Sequence, residues 1–182
     1  MRKFDSNEEM YFSWYLDELK KRGYIDNWET INQPYNLTTG IKHKYVKPMK
    51  KVADKQLEQT ILSPSVYTPD FMIEWAPKAN NVFVQEINKG TEKITTPFIC
   101  DDQGISIVET KGEFDRSNMT RLAVNNIKFL YEKYNIYVNL IKVPAIFKKT
   151  FTPDRYLLTD KTMKARTIKY EPRTLSKFIN KV

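Results

Sequence analysis

The stretch from Ile105 to Val143 constrains the fold of this chain more than any other. An apolar run over residues 105–108 ends in Glu109, Thr110, Lys111 and Gly112. Helical spacing follows over residues 116–134, where Met119, Leu122, Val124, Ile127 and Leu130 recur on one face and Tyr131 and Tyr134 extend the stripe. Residues 136–143 then alternate Ile136, Val138 and Leu140 against Tyr137, Asn139 and Ile141, with the β-branched content of a strand, and stop at Pro144. A strand, a helix and a strand in that order predict a right-handed crossover and a parallel pair. Successive strand side chains point to opposite faces, so Glu109 and Lys111 share one face while Thr110 takes the other. Gly112 then allows a close approach of backbone or ligand.

A second charged point lies in Tyr67-Thr68-Pro69-Asp70-Phe71, where Asp70 follows a stiffening proline and precedes Phe71, Met72 and Ile73. Charge inside apolar strands is costly unless it is paired or used. Two bland readings compete: Asp70 as the cap of a turn, and Glu109 with Lys111 as an exposed edge-strand ion pair worth ~0–1 kcal/mol.

Elsewhere, residues 6–22 read as a helix, with Ser6 as N-cap, a Phe12/Tyr15/Leu16/Leu19 face, and Lys20, Lys21, Arg22 and Gly23 at its end. Residues 28–37 read as a strand that Pro34 demotes to an edge or bulge. Residues 42–55, with six lysines and His43 against Asp54, read as an excursion, and His43 as a surface or phosphate-contacting residue. Residues 66–75 predict one strand, and 82–87 with 95–100 an inserted hairpin arm. The turn residues Asp101-Asp102-Gln103-Gly104 lead into the strand at 105. The predicted architecture is α/β, a mixed central sheet flanked by helices. Residues 1–145 form its core, with insertions at about 38–65 and 76–104, and 146–182 form a basic C-terminal extension packed on or trailing it.

With 41% hydrophobic and 13% aromatic residues, the chain supports a real core. The Tyr11/Trp14/Tyr15 and Tyr131/Tyr134/Tyr137 clusters are expected to pack it. Five glycines supply no Walker or dinucleotide loop. A single cysteine and a single histidine exclude a disulfide framework and a Cys/His zinc site; Cys100 is expected as a small buried apolar group. No signal core is apparent at the start and no run approaches the ~20 apolar residues of a membrane span, which predicts a soluble, cytoplasmic protein. The net charge of +8 resides in residues 142–182, with eleven Lys/Arg against three acids, while the preceding residues balance. A neutral body with a basic extension points to a polyanionic partner, most often nucleic acid.

Two carboxylates and a lysine suit phosphodiester hydrolysis. A hard cation on carboxylate oxygens activates water and offsets phosphate charge, and magnesium takes only one or two protein carboxylates. Asp70 and Glu109 are the expected metal ligands, for Mg²⁺ with Mn²⁺ able to substitute. Lys111 would orient or deprotonate the attacking water, or counter the phosphate's charge. Arg116 and Arg121, at the start of the second helix, would hold a phosphate near a helix N-terminus. Lys42, Lys44, Lys50, Lys51, Lys148 and Lys149 would contact the DNA backbone, which makes binding salt-sensitive.

In this form, Asp70 with Glu109-Thr110-Lys111 resembles the signature of the PD-(D/E)xK (restriction-endonuclease-like) nuclease superfamily, in the "TPDF" and "VETKG" versions of phage-encoded members. Phe4-Asp5-Ser6-Asn7-Glu8-Glu9, the aromatic helix after it and "NQPYNL" at residues 32–37 are similar to the N-terminal region of small phage nucleases. The segments from Tyr67 and through Gly112 are similar to phage endonuclease I type Holliday-junction resolvases. The resemblance spans about residues 4–37 and 66–143 and implies a restriction-endonuclease-like core. It also implies metal contact by the Thr110 carbonyl and an acid on the first helix, carried onto Glu9, with Glu8 competing and a capping box with Ser6 as the alternative role. It implies, further, a phage endodeoxyribonuclease in the host cytoplasm, acting on branched or Holliday-junction DNA, with a homodimer built by the residue 82–100 arm. The alternative is a non-catalytic DNA-binding or packaging protein keeping the fold; an RNA-binding module would need aromatic strings that are absent.

Overall fold

Alternation and helical periodicity resolve into fourteen elements in the computed structural model of the chain, which describes residues 4–50, 53–89, 91–112 and 119–180. In order these are α1 (Asn7–Lys21), β1 (Ile25–Thr30), β2 (Tyr35–Thr38), β3 (Ile41–Lys47), β4 (Lys55–Leu62), β5 (Ser65–Tyr67), β6 (Phe71–Trp75), β7 (Val84–Lys89), β8 (Glu92–Pro97), β9 (Ile105–Lys111), α2 (Met119–Tyr134), β10 (Val138–Lys142), α3 (Val143–Lys149) and α4 (Leu175–Ile179). Ser6 caps α1 by accepting the Glu9 N–H at 3.1 Å. Gly23, at φ +69°, ends it in the left-handed region that a side chain would resist.

The central sheet runs β1-β6-β9-β10. β1/β6 and β6/β9 are antiparallel, and β9/β10 are parallel across the α2 crossover. The protein is therefore α/β with a mixed sheet flanked by helices. One face carries α1, α3 and α4, with Phe12, Tyr15, Phe71, Val108, Phe147, Phe151 and Phe178 in a single cluster. The other face packs Leu37, Tyr67 and Val138 against Leu130 of α2, with Ile107 alongside. Ile107 and Val108 thus face opposite clusters, as the two-residue period of a strand requires.

Several expectations are corrected. The strand expected over 28–37 is two strands, β1 and β2, because Pro34 has no N–H and the chain around Asn32 and Gln33 is exposed loop. The strand expected over 66–75 is broken at Thr68-Pro69-Asp70, and β5 pairs with β2 outside the central sheet. The lysine-rich excursion is an antiparallel hairpin, β3/β4, whereas the inserted hairpin arm expected over 82–100 is present as β7/β8. Of the two arrangements expected for residues 146–182, the contacts are those of a segment packed on the core, with Tyr15 stacked on Phe151 at 4.4 Å between ring centres and α3 spanning the expected boundary at 145. Tyr131, Tyr134 and Tyr137 are exposed rather than buried, serving the rim of the α2 face, where Tyr134 donates to the Asn36 carbonyl. Cys100 is also exposed, next to the turn at Asp101. The start expected at Arg116 for the second helix lies outside the described residues.

Candidate metal and phosphodiesterase site

Asp70 is held from both sides by backbone before its carboxylate does anything. Its N–H donates to the Val108 carbonyl at 3.0 Å, and its own carbonyl accepts the Ile31 N–H at 3.1 Å. Pro69 cannot continue the ladder, so the side chain takes over: Asp70 Oδ2 accepts both the Thr110 N–H and the Thr110 hydroxyl, each at 2.6 Å. The acid and the strand that carries the other motif are thereby stitched together at the end of β9.

Glu109 lies on the opposite side of that strand from Thr110. It is only 5% exposed, and β9 is interior, between β6 and β10, so the exposed edge-pair reading does not hold. Lys111 Nζ donates to Glu109 Oε1 at 2.5 Å, and the Tyr67 hydroxyl donates to Oε2 at 2.9 Å. A buried carboxylate is tolerable with a cation on one oxygen and a donor on the other. Tyr67 is the residue that sequence reasoning passed over. It opens the Tyr67–Phe71 string, yet only the folded arrangement, with its ring against Leu130, aims its hydroxyl at Glu109.

Burial and the Glu109 charge push Asp70 up to about 6, against the pull of the two Thr110 donors and of Lys111. Tyr67 is also raised, first by burial and then by Glu109, which keeps it a neutral donor. Glu9 is raised mainly by burial, with Asp70 contributing, so the α1 acid lies within electrostatic range of the site. Its carboxylate serves the helix cap, however: Oε1 accepts from the Ser6 hydroxyl at 2.9 Å and Oε2 from the Asp5 N–H at 3.2 Å. Glu8 reaches the other way. A Cβ built on Gly112 would sit 2.9 Å from Glu8 Oε1, so the glycine leaves room for that carboxylate beside the motif.

Asp70, Glu109, Thr110 and Lys111 are therefore brought together, with Glu8 and Glu9 along the α1 side. Among the described residues, no three His, Cys, Asp or Glu side chains gather as a metal cage; the carboxylates at the centre are two. The phosphate-contact candidates divide. Lys42, Lys44 and Lys50 are exposed on the β3/β4 hairpin, with Lys42 and Lys44 sharing Glu58 at 3.5 and 3.9 Å. Arg121 is exposed on α2 and Lys148 on α3. Arg116 and Lys51 lie outside the described residues. Lys149 is committed elsewhere: its amine is 2.8 Å from Glu86 and 2.8 Å from the Thr95 hydroxyl, pinning the β7/β8 hairpin to the body. Tail arginines are also internal. Arg166 pairs with Asp160 and lies over the Tyr11 and Tyr156 rings, and Arg173 donates to the Lys148 carbonyl. A cavity of about 530 Å³ under Trp75, Phe83 and Phe98 lies at the other end of β6 and β9 and takes no part in this site. No described helix is long and apolar enough to cross a membrane.

No protein-family model, no curated protein and no solved structure matches the chain.

Proposed function

We propose that the chain is a metal-dependent endodeoxyribonuclease that hydrolyses DNA phosphodiester bonds, with branched or Holliday-junction DNA as its substrate and a restriction-endonuclease-like core. The observation that carries this reading is Asp70, in the bend before β6, bonded to Thr110 and within electrostatic reach of Glu109 next to it on β9, with Lys111 already seated on Glu109 Oε1. Two hard oxygen donors, Asp70 half-buried and Glu109 buried against a positive charge, fit a divalent cation of the magnesium class. Asp70 and Glu109, with the Thr110 carbonyl, would hold Mg²⁺ or Mn²⁺. Bound there, the ion supplies an acidified water and offsets charge on the phosphate.

The residues of the chain supply the rest. Thr110 fixes the Asp70 carboxylate through Oδ2, leaving Oδ1 as the oxygen for the cation. Tyr67 fixes the plane of the Glu109 carboxylate. Lys111, paired with Glu109 and with its side chain 23% exposed, would orient water or face a phosphate oxygen. Two symmetric cuts at a junction would call for a homodimer.

The test incubates the purified chain with four-way-junction, nicked and linear duplex DNA in Mg²⁺ or EDTA. Cleavage in Mg²⁺ alone, lost in Asp70→Ala and Lys111→Ala, is expected. Cleavage that survives either substitution removes the assignment. Binding without cleavage under both Mg²⁺ and Mn²⁺ makes the chain a non-catalytic DNA-binding protein.

A further inference from the structure

Among the described residues, the β3/β4 hairpin is almost wholly exposed. Every residue of β3 is exposed, and every residue of β4 except the half-buried Leu57. Apolar groups are open too, with Tyr45 43% and Val46 56% exposed. A two-stranded ribbon alone is marginal in water, so one that stands clear of the body needs a partner to hold it.

Charge identifies the partner. Residues 41–62 hold six lysines against two acids. The register assigns four of the lysines to faces: His43, Tyr45 and Lys47 share one face with their partners Gln59, Leu57 and Lys55, and no acid stands among them. Lys42 and Lys44 occupy the other face with Glu58. Lys47 and Lys55 are directly opposed, which sets two like charges across the ladder and costs stability unless an anion lies between or beside them. Lys50 adds a third charge at the tip, where the single carboxylate of Asp54, which accepts the Met49 N–H, offsets only one of the three. The outer end of the ribbon is thus self-repelling as it stands and is relieved by a polyanion.

Shape narrows the polyanion to a duplex. A two-stranded ribbon fits the major groove, ~12 Å wide. At ~3.3 Å per residue the seven residues of β3 reach about 23 Å, well under one duplex turn of ~34 Å. Binding of single strands relies on aromatic platforms, and residues 41–62 contain one tyrosine and no phenylalanine or tryptophan. The ribbon is also joined to the chemistry: β4 leads through β5 to Tyr67 and then Asp70.

We propose that the β3/β4 ribbon is a groove-entering arm for double-stranded DNA, its Lys47/Lys55 face against the phosphates. This rests on the nuclease reading for its purpose, but its test needs neither metal nor cleavage. Binding to a duplex of about three helical turns, and to one of its single strands, is measured by fluorescence anisotropy in EDTA between about 50 and 200 mM salt. The arm variant K47Q/K50Q/K55Q is compared with K21Q/K93Q/K128Q, which removes equal charge from exposed sites elsewhere. The arm variant is expected to lose on the order of 100-fold in duplex affinity near 0.15 M salt, with a salt slope smaller by about 2.7. The control is expected to lose no more than about threefold. Equal losses in the two variants overturn the proposal, as does an equal loss for the single strand. A loss of self-association by sedimentation, with duplex affinity retained, overturns it in favour of a second copy of the chain. Failure of the cleavage test with duplex binding as expected leaves the arm standing and removes only the nuclease.

Discussion

Removing the charge of Asp70 while keeping its shape is expected to make the protein more stable and inactive at once. In Asp70→Asn the side-chain oxygen still accepts from the Thr110 N–H and hydroxyl, so the stitch to β9 survives. What disappears is a carboxylate whose ionised form is disfavoured by burial and by Glu109, raising it to about 6 from an ordinary value near 3.8. The folded state therefore binds the Asp70 proton more tightly than the unfolded state. The stability this contributes is fully present below about pH 4 and is lost as pH rises through about 6. Two pH units correspond to about 3 kcal/mol, and partial exposure of the group trims that to about 2–3 kcal/mol. Urea unfolding of both proteins in EDTA is expected to give curves that coincide near pH 4 and separate above pH 6, with the variant the more stable by about 2 kcal/mol. Adding Mg²⁺ should close the gap from the wild-type side, since ligand at 100 times its Kd adds ~2.7 kcal/mol to the form that binds it. A variant less stable than wild type at every pH, or a gap without pH dependence, would refute this electrostatic reasoning.

Tyr67→Phe leaves Glu109 Oε2 without its donor; urea unfolding should show a loss of about 1–3 kcal/mol, and cleavage titrations a higher Mg²⁺ requirement. Glu9→Ala should cost about 1 kcal/mol by opening the cap of α1, and Glu9→Gln should restore most of it, since glutamine also closes a capping box; thermal unfolding distinguishes the pair. Lys149→Ala should lower stability by less than about 1 kcal/mol through loss of the Glu86 and Thr95 contacts, while changing duplex affinity little in the anisotropy assay.

The crossover and the first helix were legible because their signals are local: the Phe12/Leu16/Leu19 spacing of α1 and the alternation of β10 each lie within one element. The pairing of Asp70 with the Glu109 strand was legible as a motif, though the means was not. Nothing in Thr110 announces that its hydroxyl and amide bind a carboxylate forty positions away. Tyr67 was hidden for the same reason, since its role depends on β5 leaving the sheet and placing its ring against Leu130. Lys149 looked like one more basic residue of the tail until β7 placed Glu86 against it. Charge counts report the supply of cations; only packing shows which are already spent. Residues 42–55 read only as a lysine-rich excursion; their pairing as part of a hairpin, with Lys47 against Lys55, is set by the ladder and not by the lysine spacing.

The most direct measurement is calorimetric titration of Mg²⁺ or Mn²⁺ into the wild-type chain, Asp70→Asn and Glu109→Gln, each then assayed for cleavage of four-way-junction DNA. Saturable binding by wild type alone, with cleavage confined to the protein that binds, is the expected result. Undiminished metal binding by both variants, or junction cleavage by either, would contradict a cation held between Asp70 and Glu109.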